Sequence, residues 1–169
     1  MKKEENLITA IEKYGDMLFQ MAVVMVQNIQ DAEDIVQETY IRYMNKAPEF
    51  KEEEYEKAWL IKVCRNICKD MCRFRKRNGH FNIDEYINIC NNQEIIVNQE
   101  IEDYFEKRQL LEIILQLPFK YREIIVLHYI EGYKIKELSK ILHITEAAVK
   151  KRLQYGRKRI KDLYENEGK

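Results

Sequence analysis

Residues 134–161, KIKELSKILHITEAAVKKRLQYGRKRIK, constrain the fold more than any other stretch of this chain. Ile135, Leu138, Ile141 and Leu142 recur at helical spacing and then stop at a three-residue break, His143-Ile144-Thr145. A second helical pattern follows, with Val149, Leu153, Gly156, Ile160 and Leu163 along one stripe. Helix, short break and helix form the sequence signature of a helix-turn-helix, whose second helix enters a DNA major groove. Residues 145–161 hold seven basic side chains against one acid, Glu146, a charge of +6 inside a chain of net charge zero. Binding to a polyanion must therefore rest on segregated charge.

The second helix sorts its side chains by role. Opposite the apolar stripe lie Ala147, Ala148, Lys151, Gln154, Tyr155 and Lys158. Two small residues let the backbone approach a groove floor. Lys151 and Gln154 can hydrogen-bond base edges, and Tyr155 can pack on a base or a thymine methyl. Lys150, Arg152, Arg157 and Arg159 suit phosphates, which fix position without reading sequence.

Composition narrows the class. In 169 residues there are only 5 Gly and 2 Pro, which favours helices with few turns over sandwiches or barrels. The longest apolar run, Met21 to Val26, is far short of the ~20 residues of a membrane span and fits a buried helix. The N-terminus, MKKEENL, lacks the pattern of a secretory signal, so the expected compartment is the cytoplasm, with no membrane insertion. Cys64, Cys68 and Cys72 fall at i, i+4 and i+8 of one helix. Consecutive turns do not offer disulfide geometry, and no C-x₂-C pair suggests zinc. They read as small buried hydrophobes, with a redox or metal role as the alternative and Cys90 as the one distant partner.

Periodicity predicts helices over residues 4–28, from Asp31 to Pro48, and from Tyr55 to about Lys76, where Asn78-Gly79 ends the third. Residues 82–103 are rich in acids, Asn and Gln and hold no base, so they read as a linker, loose at first and helical from about Asn98. Further helices are expected up to Pro118 and over 119–131, ending at Gly132. The expectation is an all-α chain: an N-terminal domain over 1–78, an acidic linker over 79–108 and a helix-turn-helix domain over 109–169.

Charge then swings sharply. Residues 31–56 carry nine acids against three bases, and residues 57–77 eight bases against Asp70 alone. Adjoining blocks of −6 and +7 suggest one surface for a basic partner and another for nucleic acid. In 56–77, EKAWLIKVCRNICKDMCRFRKR, the bases Lys62, Arg65, Lys69, Arg73 and Lys76 share one side, and Leu60, Val63, Cys64, Ile67, Cys68 and Met71 share the other. Trp59 and Asn66 beside a cationic track suit unstacked bases, which stack on rings and bond through exposed edges. A solvated basic face is the alternative.

Four segments in this order, DAEDIVQETYIRYM (31–44), AWLIKVCRNICKDMCRFRKR (58–77), LQLPFKYREIIVLHYIEGYKIKELSKIL (115–142) and ITEAAVKKRLQYGRKRIKDL (144–163), resemble an extracytoplasmic-function sigma factor. Such a protein gives bacterial RNA polymerase its promoter choice. DAED-x-VQE and AWL-x₄-RN are the specific motifs; the helix-turn-helix alone is shared by many regulators. The resemblance implies that Asp31, Glu33, Asp34, Gln37, Glu38 and Arg42 dock on the clamp helices of core RNA polymerase. It implies that Trp59, Lys62, Arg65, Asn66, Lys69, Asp70 and Arg73 hold the minus-ten element and its melted non-template strand, with Asn66 on a flipped base. Phe50 to Glu54 matches a loop of the base pocket. Residues 144–163 would read the minus-thirty-five element of promoter DNA, and the linker would thread the polymerase channel later taken by RNA. An anti-sigma partner is implied too. No enzyme activity, cofactor or metal is expected.

Two residues depart from the family's pattern: His143 stands where Gly is usual in the turn, and Gly156 replaces the more usual Ala. Two other readings are a stand-alone helix-turn-helix regulator, which needs no acidic docking helix, and a metal-dependent nuclease using Asp31, Glu33, Asp34 and Glu38. The second lacks any motif for a nucleophile, metal or phosphate loop.

Overall fold

The computed structural model describes residues 1–74, 82–93 and 101–167. Every regular element among them is helical, and the chain divides into two compact units, Met1–Gly79 and His80–Lys169.

The first unit packs three helices against one another: α1 (Lys2–Val26), α2 (Ile29–Lys46) and α3 (Glu53–Phe74). The chain turns from α1 to α2 in two residues. Gln27 takes the left-handed conformation at φ 53° and its N–H reaches Val23 O, closing α1. Asn28 is extended, and its side chain accepts the Asp31 N–H at 2.8 Å, capping α2. The helix therefore starts two residues before Asp31, the expected start. At the far end Ala47 is extended, as the residue before Pro48 must be. The whole Met21–Val26 run is buried, together with Leu18 of α1, Ala32 and Ile35 of α2, and Leu60, Ile61, Cys64 and Cys68 of α3. Cys72 is half-buried, its sulfur 3.5 Å from Met25 O. The expected end of α3 at Asn78-Gly79 and the side chain of Cys90 lie outside the described residues.

The second unit begins earlier than the sequence suggests. Residues expected to be a loose acidic linker contain α4 (Ile83–Gln93), and α5 runs over Ile101–Gln116. Asn82 caps α4 by accepting the Glu85 N–H at 3.0 Å, so Asp84 and Glu85 sit in a first turn, where the helix dipole favours acids. Arg108 of α5 pairs with Asp84 at 3.0 Å and with Glu112 at 3.4 Å, and Tyr86 is buried. The first acids of this segment start a helix. The expected onset at Asn98 lies outside the described residues.

After Pro118 comes α6 (Phe119–Ile125), which widens into a π-turn over Val126–Ile130 in place of the expected straight helix to 131. Glu131 N–H bonds back five residues to Val126 O and Tyr133 N–H six residues to Leu127 O. Gly132 turns the chain at φ 78°. Then α7 (Ile135–Leu142) and α8 (Glu146–Glu167) follow, α8 packing against α5, α6 and α7. No helix among the described residues is long and apolar enough to cross a membrane.

Candidate nucleic-acid interface

The break between α7 and α8 falls on His143-Ile144-Thr145, as the spacing predicts. His143 adopts φ 54°, ψ 44°, the left-handed geometry that Gly usually supplies. Its N–H and that of Ile144 both reach Ser139 O, and Ser139 Oγ donates to Ile144 O at 2.5 Å. Thr145 then caps α8, its hydroxyl accepting the Ala148 N–H at 3.1 Å. This hydrogen-bonded corner fixes the direction in which α8 leaves.

Val149, Leu153 and Gly156 are buried beneath α8, with Ile160 and Leu163 half-buried. Lys150, Lys151, Gln154, Arg157, Lys158 and Arg159 are exposed, as is Ala147. This is the cationic face the sequence calls for. Tyr155 is 48% exposed, but one side of its ring lies on Tyr121 of α6, with centroids 4.2 Å apart and planes 32° apart. Arg157 Nη1 donates to Tyr129 Oη at 2.9 Å. Gly156 has a reason in packing: a Cβ there would lie 3.0 Å from the Ile125 side chain and 3.9 Å from Tyr121 O. Its bare backbone is what α6 rests on.

In the first unit, α3 exposes Asn66, Lys69, Asp70 and Arg73 and half-exposes Trp59 and Lys62. Trp59 joins Tyr43 and Phe50 in a three-ring cluster, edge-on to both at 6.0 and 6.1 Å, while Tyr43 and Phe50 stack at 6.3 Å. Tyr43 Oη donates to Glu56 Oε1 at 2.6 Å. Burial and this carboxylate hold the Tyr43 hydroxyl well above the usual tyrosine range. Beside the cluster opens a cleft of about 470 Å³, bordered by Lys2, Lys3, Tyr43, Phe50 and the carboxylates of Glu49, Glu52, Glu53 and Glu56. Lys13 pairs with Glu53 at the head of α3. On the outer side of α2, Glu33, Asp34, Gln37, Ile41 and Arg42 are exposed, and Glu38 pairs with Arg42 at 3.1 Å.

Comparison with known proteins separates the readings that this geometry allows. A Sigma-70 region 2 model matches residues 10–78, and a Sigma-70 region 4 model matches residues 107–160. The chain is 29% identical over 171 residues to the ECF RNA polymerase sigma factor SigW of Bacillus subtilis, spanning 90% of this chain and 88% of that one. With SigX of the same organism it shares 29% over 154 residues, 87% and 77% of the two chains. The chain belongs to the ECF RNA polymerase sigma factors. It serves transcription initiation, with core RNA polymerase and promoter DNA as partners. The structure of RpoE from Bartonella quintana in complex with the anti-sigma factor NepR has the same fold, at a TM-score of 0.70 and 17% identity over 95% of this chain and 98% of that chain. So does CnrH in complex with the cytosolic domain of CnrY, at 0.68 and 21% over 96% and 90%.

Two of the residues singled out from sequence sit differently in this sigma factor. Arg65 is not part of the exposed track; it is only 7% exposed, at the edge of the stripe formed by Ile61, Cys64 and Cys68. Its Nη1 donates to Asn66 Oδ1 at 3.1 Å. Arginine only donates, so the atom facing it is the amide oxygen, and the Asn66 NH₂ group is turned toward its other side. Arg65 thus orients a neighbour. Arg152 is half-buried, with its guanidinium 3.9 Å from the fully buried Glu123 carboxylate of α6, so its charge is directed into the unit. Arg75, Lys76 and Arg77 lie outside the described residues. Sequence reading missed Asn28, although an Asn three residues before an acid at a helix start is a cap signature. It also missed Tyr43 and Tyr121, whose ring partners are distant in sequence.

Proposed function

We propose that this sigma factor divides promoter recognition between its two units. In the second, α8 lies in the major groove of the minus-thirty-five element. Lys151 and Gln154 bond base edges, Ala147 and Ala148 permit close approach, Tyr155 contacts a base or a thymine methyl, and Lys150, Arg157 and Lys158 meet phosphates. In the first, Trp59, Lys62, Asn66, Lys69, Asp70 and Arg73, with Phe50 at the cleft, hold the minus-ten element and the melted non-template strand. Asp31, Glu33, Asp34, Gln37, Glu38 and Arg42 of α2 dock on the polymerase clamp helices. Melting is driven by binding energy spent on extruded bases, a few kcal/mol of unstacking per base, and the sigma factor catalyses no reaction of its own. It works in the cytoplasm, and an anti-sigma factor holds it inactive, as the complexes of RpoE with NepR and of CnrH with CnrY suggest by analogy.

The observation that carries this reading is the pairing of exposed cations with reading groups, Lys151 with Gln154 on α8 and Lys69 with Asn66 on α3, inside the two matched regions. Its test is the Lys151→Ala, Gln154→Ala double variant. Run-off transcription from a cognate promoter should fall at least tenfold, since each good base contact is worth about 1–3 kcal/mol, while binding to core polymerase is kept. Equal loss of polymerase binding would overturn the assignment.

A further inference from the structure

We propose that Tyr121 is a positioning residue for promoter reading, holding Tyr155 of α8 edge-on to the DNA; this rests on the assignment of α8 to the minus-thirty-five element. Tyr155 projects from the flank of the cationic face, one residue beyond Gln154. A tyrosine placed there without support would swing about its side-chain torsions, and binding DNA would have to freeze it. Here the ring is already held. Tyr121 lies against it with centroids 4.2 Å apart, near the short end of aromatic pairing distances. The stack depends on a feature of α8 itself. Gly156, the next residue, removes the Cβ that would meet Ile125 at 3.0 Å, and so lets α6 come close enough for Tyr121 to reach Tyr155.

Two consequences follow for what Tyr155 can do. One ring face is covered, so it is not a two-sided platform for an inserted base. Its open edge and hydroxyl are left to meet a thymine methyl or a base-edge acceptor in the groove. Lys120, exposed at the start of α6, has its ammonium 5.1 Å from the centre of the Tyr121 ring. The ring quadrupole favours that placement. It carries the cationic rim of α8 onto a second helix, where a lysine meets a phosphate.

The test uses the full-length sigma factor bound to core polymerase and a duplex library randomised across the minus-thirty-five element. Tyr121→Leu fills the helix interface without a flat ring, and Tyr121→Phe keeps the ring. The leucine variant should bind the selected element about two- to tenfold more weakly, the usual cost of immobilising one side chain on binding. It should lose base preference at the same position as Tyr155→Ala. The phenylalanine variant should match the parent, and Tyr121→Leu combined with Tyr155→Ala should be no weaker than Tyr155→Ala alone. Lys120→Gln should lower the salt slope of binding by about 1 and leave base preference unchanged. Additive losses for Tyr121 and Tyr155, or a loss equal for all sequences, would overturn the bracing. If Lys151 and Gln154 substitutions alter selection while those at Tyr121 and Tyr155 do not, the α8 assignment stands and this inference fails. If none of the four alters selection, both fail.

Discussion

Tyr40 and Tyr43 leave α2 about one turn apart, and their hydroxyls meet different partners: Ala10 O at 3.3 Å for Tyr40 and the Glu56 carboxylate for Tyr43. Burial pushes the Tyr40 hydroxyl up from its ordinary value near 10, and burial with the Glu56 bond does the same at Tyr43. Both folded values lie above the unfolded one. The stabilising effect is complete below about pH 10 and is lost as pH rises beyond it, because the unfolded chain releases these protons first. Trp59 is the chain's one tryptophan, so its fluorescence in urea, with reductant present, reports the first unit. The midpoint should hold steady up to pH 10 and fall above it, and Tyr40→Phe should shallow that fall. A pH-independent midpoint would remove this account. Arg152 offers a second residue-scale check. Its removal leaves the Glu123 carboxylate buried without that cation, so Arg152→Ala should lower the thermal stability of the second unit. A mere phosphate contact would leave the melting temperature unmoved. At this scale sequence placed Lys151, Gln154 and Asn66 on exposed faces correctly, since helical spacing decides that. It misjudged Arg65 and Arg152. A long cationic side chain at the edge of an apolar stripe can turn outward or lie along the core, and only the packed neighbours decide which.

At the level of elements, the corner between α7 and α8 was legible because its signal is local: an apolar period that stops at His143 and a new one that begins after Thr145. The cap can be tested alone. Thr145→Ala should cost about 1 kcal/mol, read as faster hydrogen exchange of the first-turn amides of α8, the Ala148 N–H above all. The α3 core is a harder constraint. Leu60 is fully buried in α3, which packs against both α1 and α2, so Leu60→Ala should destabilise the first unit by about 2–5 kcal/mol in the Trp59 urea titration. Two elements were not legible. The α4 helix was hidden by composition, because the acids that start it and the Arg108 that ties it to α5 are more than 20 residues apart. The π-turn was hidden because it ends its helix, so no further turn follows Ile130 in which a shifted apolar register could show.

Across the whole molecule, 29 basic and 29 acidic side chains cancel, yet they are sorted by helix. Acids crowd α2 and the head of α3, and bases crowd the rest of α3 and α8. Such a chain avoids net attraction to nucleic acid while keeping two cationic faces. The end of the first helical unit near Gly79 was legible from the Asn78-Gly79 stop and the change of composition beyond it; that the residues after it group with the second unit was not, since this depends on ties such as Asp84 to Arg108. The measurement that tests the central claim most directly is permanganate footprinting of a cognate promoter with core polymerase and the full-length sigma factor. Wild-type protein should make thymines near the start site reactive. The Trp59→Ala, Asn66→Ala double variant should abolish that reactivity while upstream protection by α8 persists. Full reactivity in that variant, or simultaneous loss of the upstream footprint, would contradict the division of labour between α3 and α8.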